Sequence, residues 1–328
     1  IIRFPYQSGP IPGVFTEMRK KRKRGGGSMD EWLQNLVVKK WKIGKLEFSF
    51  LDALLAICIT GTGVMLRMAV IHNTVTDAGK LSGMLLEFFL AILCAVIVYD
   101  DTASRNRAFL TYSILAIYPT LVANGALWGQ NSSQYAFFLF LGLYLFGRGE
   151  KLRGAVGWAA GVLLAAMRLR ISAGTLNLGW PNLYEIIGKE MFVELYNQVS
   201  VLCLVGILFT VAYVLEKKRV TLTKDLTLRL FLFLALLIPY LAPSMPAAAG
   251  FTADIAALLY GMRWPKRFYV PMLHLIVSYS AYANAINGET KLPMVLYAVI
   301  LLVLLADTGI GIYKEIMEKN LHHGKEQC

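Results

Sequence analysis

From residue 48 to residue 313 the chain alternates apolar runs with short polar breaks. Ten of these runs predict transmembrane helices, at residues 48–71, 82–99, 108–127, 134–146, 155–167, 199–215, 228–240, 251–260, 269–285 and 293–313. A span needs roughly 20 residues, and several of these runs are shorter. The fourth, fifth and eighth read as tilted helices packed inside a bundle, and the eighth alternatively as a re-entrant segment. The fold class that follows is all-α, a polytopic transmembrane helical bundle of about ten helices.

The polar breaks carry their own pattern. Between the third and fourth runs lies Ala126-Leu127-Trp128-Gly129-Gln130-Asn131-Ser132-Ser133-Gln134-Tyr135, a hinge too short to be a domain. A Trp at a membrane edge, then a Gly turn and amide or hydroxyl side chains, sets hydrogen-bonding groups where the hydrocarbon ends. This marks a candidate mouth of a site, or else an ordinary helical hairpin with an interfacial Trp. In residues 183–196, Leu183, Ile186, Ile187 and Leu195 alternate with Glu185, Lys189, Glu190 and Glu194. That spacing predicts an interfacial amphipathic helix, capped by Asn182 just after Pro181. Ahead of the first run, Trp32 and Trp41 among lysines describe a segment lying at the cytoplasmic interface.

Composition agrees with a membrane solvent. The chain is 56% hydrophobic with a mean hydropathy of +0.54, too apolar for a soluble globule. With the N-terminus inside, all of the 33 Lys and Arg residues except Arg67, Lys80, Arg168, Arg170, Lys189 and Lys291 fall on the inner side. This positive-inside bias predicts cytoplasmic termini and an integral protein of a bacterial plasma membrane, in contact with membrane lipids. The net charge of +12 is then mostly topology. Spread over loops, it makes no nucleic-acid surface. Cys58, Cys94 and Cys203 sit inside apolar runs and read as small core residues, with Cys328 at the end. No cysteine or histidine spacing suggests a disulfide framework or a metal site.

Residues 25–28, Gly-Gly-Gly-Ser, read as an engineered flexible linker ahead of Met29. The preceding peptide, residues 1–24, has three prolines, the aromatic residues Phe4, Tyr6 and Phe15, and a basic run from Arg19 to Arg24. It cannot pack a core, though it can lie extended in a groove or against anionic lipid. It reads as a segment of a protein or peptide partner fused to its binding protein, or as a vector-derived leader. Residues 29–328 are the transmembrane domain.

Ionisable residues at membrane depth are costly and default to functional candidates. Arg67, Asp254 and Asp307 qualify, or cap and snorkel at helix ends. Arg168 and Arg170 stand on the outer edge against the charge bias of the whole chain. Two guanidinium groups there suit a lipid-linked phosphate, through charge-assisted hydrogen bonds. Alternatively they pair with Glu185, Glu190 or anionic head groups.

Several of these motifs together resemble bacterial mannosyltransferase-like membrane proteins of the C-type glycosyltransferase (GT-C) superfamily. Residues 118–131, with Pro119, Asn124 and Trp128-Gly129-Gln130, are similar to a helix and Trp-Gly-Gln-Asp-like turn of that family. Arg168-Leu169-Arg170 stands where the family has a Lys-Leu-Gln-like element. Gly179-Trp180-Pro181-Asn182-Leu183-Tyr184 resembles its Gly-Tyr-Pro-Asn loop. Residues 245–254 have the spacing of its Met-His-Glu-Arg-Tyr segment ending in Ala-Asp. The resemblance implies a helical bundle whose outer loops meet a polyprenyl-phosphate sugar, with no other cofactor. It implies substrate-binding roles for Trp128, Gln130, Asn131, Arg168, Arg170 and Asp254.

The chain also departs from that family. The first outer loop is about ten residues in place of a long one, with Asp77 as its only acid. Pro246-Ala247-Ala248 replaces His-Glu-Arg, and the turn continues Asn131-Ser132-Ser133 without an acid. Glycosyl transfer needs a positioned base and cations for the leaving phosphate. The expectation is therefore a catalytically degenerate relative, a scaffold or binding partner in a membrane complex for envelope or glycan assembly. The competing expectations are an active glycosyltransferase with Asp77 as catalytic base, and a lipid or small-molecule transporter.

Overall fold

The computed structural model describes residues 40–43, 46–71, 78–168, 176–187, 192–218, 220–288 and 290–326. They belong to two compact units, residues 1–58 and residues 59–328. In the first unit two short strands, β1 (Lys40–Ile43) and β2 (Leu46–Ser49), pair antiparallel, with Lys40 opposite Ser49. This hairpin was not expected from the apolar pattern, which places the first span from Phe48. Helix α1 (Phe50–Ile71) follows directly. Ser49 caps it: Asp52 Oδ2 accepts from the Ser49 backbone N–H at 2.7 Å, and Ser49 Oγ accepts from the Asp52 N–H at 3.3 Å. The two side chains thus satisfy donors that the first turn leaves free.

The second unit is a helical bundle. Its elements are α2 (Ala78–Thr102), α3 (Arg105–Ala116), α4 (Pro119–Val122), a π-helical turn (Ala123–Leu127), α5 (Ser132–Gly147) and α6 (Lys151–Arg168). Then come α7 (Tyr184–Ile187), α8 (Val193–Lys217), α9 (Lys224–Leu241), a 3₁₀ turn (Ala247–Gly250) and α10 (Phe251–Arg263). A second 3₁₀ turn (Pro265–Arg267), α11 (Tyr269–Asn287) and α12 (Met294–Glu326) complete it. The predicted spans fall largely on helix; Phe48 and Ser49 lie in β2, and the third run breaks near Tyr118. Five stretches among the described residues are long and apolar enough to cross a bilayer: Phe50–Ile71, Lys80–Thr102, Arg105–Leu127, Val193–Lys217 and Met294–Met317.

Two helices bracket the range of environments. In α8 Ser200 is the one buried residue of 25, and Phe209 is 73% exposed, so its apolar surface finds its complement in hydrocarbon. In α10 every residue from Phe251 to Met262 is buried. At 1.5 Å per residue α10 is about 20 Å long, short of a 30 Å hydrocarbon core. It is a core helix, packed against α2, α3, α9 and α11.

The closest helix pair, α5 and α6, is made possible by glycine. A Cβ on Gly157 would stand 3.0 Å from the Gly142 Cα, and one on Gly142 would lie 2.2 Å from Trp158 Cδ1. With no side chains there, the backbones approach and Trp158 Nε1 donates to the Leu139 carbonyl at 3.0 Å.

The bundle has two unlike ends. At one, Arg263 pairs with Asp225 at 2.9 Å and donates to the Asp101 carbonyl, Lys224 reaches Asp101 at 3.5 Å, and Arg229 pairs with Glu315 at 3.2 Å. Asp307 belongs to this charged end, where it accepts from Arg267 and from the Tyr269 hydroxyl, both at 2.7 Å. At the other end lie the Trp128 turn and the segments around Trp180 and Pro246. Of the cysteines, Cys94 is buried as expected, but Cys58 and Cys203 are exposed, on α1 and α8, whose outward faces are apolar. Small size alone did not draw them inward, because hydrocarbon accepts a thiol as readily as a core does.

Candidate functional site

The third apolar run is a broken helix, and the break is where polar groups gather. Pro119 lacks an N–H and fixes the residue before it in extended backbone, so α3 ends and Tyr118 sits at ψ 123°. The chain resumes helix for one turn and then widens into the π turn, closed by Trp128 N–H donating to the Ala123 carbonyl at 3.0 Å. Such widenings turn side chains toward positions that a regular helix does not reach.

Asn124 is the side chain so placed. Its Nδ2 donates to the Gln130 carbonyl at 2.8 Å, and its Oδ1 accepts from Ser132 and from the Tyr282 hydroxyl, both at 3.2 Å. The Gln130 N–H donates back to the Asn124 carbonyl at 3.0 Å. Trp128 meets Tyr282 edge to face, with ring centroids 5.6 Å apart. Asn131 lies against Gly83, where a Cβ would come within 2.2 Å of its Oδ1, and Ser133 Oγ donates to the Gly83 carbonyl at 3.0 Å. At Gly129, with φ at +63°, a Cβ would meet the stem of Lys80 at 2.6 Å. The turn is therefore a packed joint between α2, the broken helix and α5, with its side chains partly buried.

One turn below Asn124, Thr120 donates to Asp254 Oδ2 at 2.8 Å. Ser278 donates to the same oxygen at 2.7 Å, and His274 Nδ1 lies 2.9 Å from Oδ1. All four side chains are fully buried. His274, Ser278 and Tyr282 recur at four-residue intervals and so line one face of α11. They meet Thr120 and Asn124 on the broken helix and Asp254 on α10. His274 Nε2, facing away from Asp254, has no hydrogen-bond partner among the described residues. Of this polar spine the sequence motifs include Asp254 and Asn124, but not His274, Ser278 and Tyr282. Its signal was the four-residue spacing of His274, Ser278 and Tyr282 inside an apolar run.

Arg67 is not at the outer edge. It is buried against Glu87, with Nε donating to Oε2 at 2.9 Å, while Nη1 donates to the carbonyls of Gly63 at 3.1 Å and Ala116 at 2.6 Å. Ala116 ends α3, and the Pro119 break leaves its carbonyl without a helical donor, so Arg67 caps the break. Gly125 makes room for the pair, since a Cβ there would lie 2.2 Å from Glu87 Oε1.

Two of the motifs singled out in the sequence clasp each other. Trp180 N–H donates to the Met245 carbonyl at 3.2 Å, Ser244 N–H to Leu176 at 2.8 Å, and Leu183 N–H to Tyr240 at 3.0 Å. Trp180 is buried over Gly250, with its ring 5.9 Å from that of His274. Asn182 Oδ1 accepts from the Tyr184 N–H at 3.0 Å, ahead of α7, which ends at Ile187; residues 188–191 of the expected amphipathic helix lie outside the described residues, and 193–196 open α8. Burial pushes the Glu185 carboxyl above its usual range. Arg168 is the last residue of α6. Asp77, Arg170 and residues 1–24 lie outside the described residues. Among the described residues no group of three His, Cys, Asp or Glu side chains could hold a metal ion. No protein-family model, curated protein or solved structure matches this chain.

Proposed function

We propose that this chain is a GT-C-like integral membrane protein that has lost catalysis and serves as a scaffold or binding partner in a membrane complex for envelope or glycan assembly. The reading is carried by one observation. The two fully buried carboxylates among the described residues, Asp254 and Glu87, are both held by internal donors. A general base must reach the proton it removes, directly or through one water. Asp254 accepts from Thr120 and Ser278 and lies 2.9 Å from His274 Nδ1, and Glu87 is tied to Arg67. In the turn, Trp128, Ser132 and Ser133 likewise make contacts that join helices. On this reading the likeness to mannosyltransferase-like proteins lies in motifs kept for packing, and a polyprenyl-phosphate sugar is at most a bound lipid. The bundle's charged end faces the cytoplasm, with ten helices crossing or entering the bilayer.

The test is to reconstitute the full chain in vesicles with a polyprenyl-phosphate mannose and an excess of glycan acceptors. No sugar transfer is expected, with or without Asp77→Asn, Arg168→Ala or Arg170→Ala, and the purified complex should carry a stoichiometric protein partner. Transfer that disappears in Asp77→Asn would instead make the chain an active glycosyltransferase. A second reading, a transporter, draws on the broken helix and the polar spine beside it, since interrupted helices build many transport sites. Uptake or release across the same vesicles, lost in Asp254→Asn, would favour it.

A further inference from the structure

Helices α6 and α9 both flank α5, yet between them they leave a cavity of about 370 Å³. At one end they touch, where Trp158 and Phe231 stack with ring centroids 6.1 Å apart. Beyond that contact they part. The walls are Val162 and Ala165 of α6 and Ala235 and Ile238 of α9, while Tyr135 and Thr252 form part of the floor. Alanines at the wall positions are what keep the space open. The mouth lies between Val162, 60% exposed, and Ile238, 40% exposed.

The surroundings of that mouth decide what enters. From Gly154 to Met167 helix α6 carries no charged residue, and beside Val162 it exposes Leu163. The slot is therefore continuous with a hydrocarbon-facing surface. Its volume lies in the roughly 300–1,000 Å³ range of small-molecule sites, and an apolar space of this kind does not hold water. It lies in the first half of α5 and the last half of α9, the half of the bundle that carries the Trp128 turn.

We propose that this slot is a binding site for one acyl chain of a glycerophospholipid, taken from the leaflet on the side of the Trp128 turn. Mass action selects the acyl chain over rarer isoprenoid chains, because glycerophospholipids crowd the mouth in any bilayer. The floor supplies two hydroxyls and no charge, so the head group stays outside, and selection is by the chain alone. The site is separate from the proposed scaffold role and stands or falls by itself.

The experiment uses the full chain in phosphatidylglycerol and phosphatidylcholine vesicles containing a trace of phospholipid with a diazirine in mid-chain. After photolysis, adducts are mapped by mass spectrometry. They should concentrate on Val162, Ala165 and Ala235, well above those on Phe209, which faces lipid without a cavity. Ala235→Phe, which fills the slot, should cut the slot adducts about tenfold and leave those on Phe209 unchanged. Ala165→Leu narrows the slot by a milder change, and should reduce the same adducts if Ala235→Phe does not fold. Adducts spread evenly over slot and Phe209, or unmoved by both substitutions, would overturn the site. Loss of the slot adducts on adding a small amount of polyprenyl phosphate would overturn the acyl chain as its occupant.

Discussion

His274 Nδ1 stands 2.9 Å from Asp254 Oδ1, with both side chains fully buried. The other oxygen of Asp254 serves Thr120 and Ser278. Three helices are joined at one carboxylate. Interhelical hydrogen bonds in membranes average about 0.6 kcal/mol and reach about 1.7 kcal/mol, so Ser278→Ala should destabilise the chain within that range. Asp254→Ala strands three buried donors at once, and about 3–5 kcal/mol is expected, as for breaking a buried pair. Thermal unfolding of the purified chain in detergent measures both. If Asp254→Asn left stability intact yet abolished binding of any ligand, the carboxylate would have a functional role and not a structural one.

Arg67 and Glu87 make a second buried junction, and here the two partners should behave differently singly and together. Glu87→Ala leaves a buried guanidinium without its counter-charge and should cost about 3–5 kcal/mol. Replacing both, Arg67→Met with Glu87→Met, removes the desolvation cost along with the pair and should be near neutral. A double-mutant cycle on unfolding free energy reads the coupling. If the double replacement costs as much as the single one, the caps on the Ala116 and Gly63 carbonyls outweigh the ion pair.

Hydropathy made the helices legible because a bilayer demands long uncharged stretches, and the predicted runs are largely helical, the first starting in β2 and the third breaking near Tyr118. It left the roles of those helices open. The run ending in Tyr260, expected as a helix packed inside the bundle or as a re-entrant segment, is the buried one, though which helices ring it depends on contacts far apart in the chain. Pro119 announced a break, but the π turn after it follows from Asn124 bonding to Gln130, which no periodicity records. Trp128, Gln130 and Asn131 were recognised as a motif and are packed as a joint. Arg67, expected on the outer side and among the ionisable residues at membrane depth, is buried against Glu87 of the next helix, a partner that hydropathy does not reveal. His274 has no metal spacing, and its four-residue spacing to Ser278 and Tyr282 is the signal the sequence carries.

The clasp between Trp180 and Gly250 should be as sensitive to one methyl group as any place in the bundle. A Cβ on residue 250 would lie 2.1 Å from the Trp180 ring, which is itself 1% exposed and cannot swing aside freely. Gly250→Ala should therefore destabilise by about 1–3 kcal/mol through overpacking. Trp180→Leu in the same background should recover part of that loss by vacating the space. An unchanged melting temperature for Gly250→Ala would mean that the segments around Trp180 and Pro246 separate easily, contrary to the hydrogen bonds that join them.

Helix α11 offers the plainest test of the threading. Its 19 residues rise about 28 Å, close to the hydrocarbon thickness. Lys266 precedes it at the charged end and Leu292 follows it at the opposite end, both exposed. In a background with Cys58, Cys94, Cys203 and Cys328 changed to Ser, Lys266→Cys and Leu292→Cys should react with a membrane-impermeant maleimide from opposite sides. On the proposed threading, with the loops rich in Lys and Arg inside, intact cells should label Leu292→Cys, and Lys266→Cys should label only after permeabilisation. Labelling of both from one side would mean that α11 does not cross, and the even number of spans drawn from the charge pattern would fall with it.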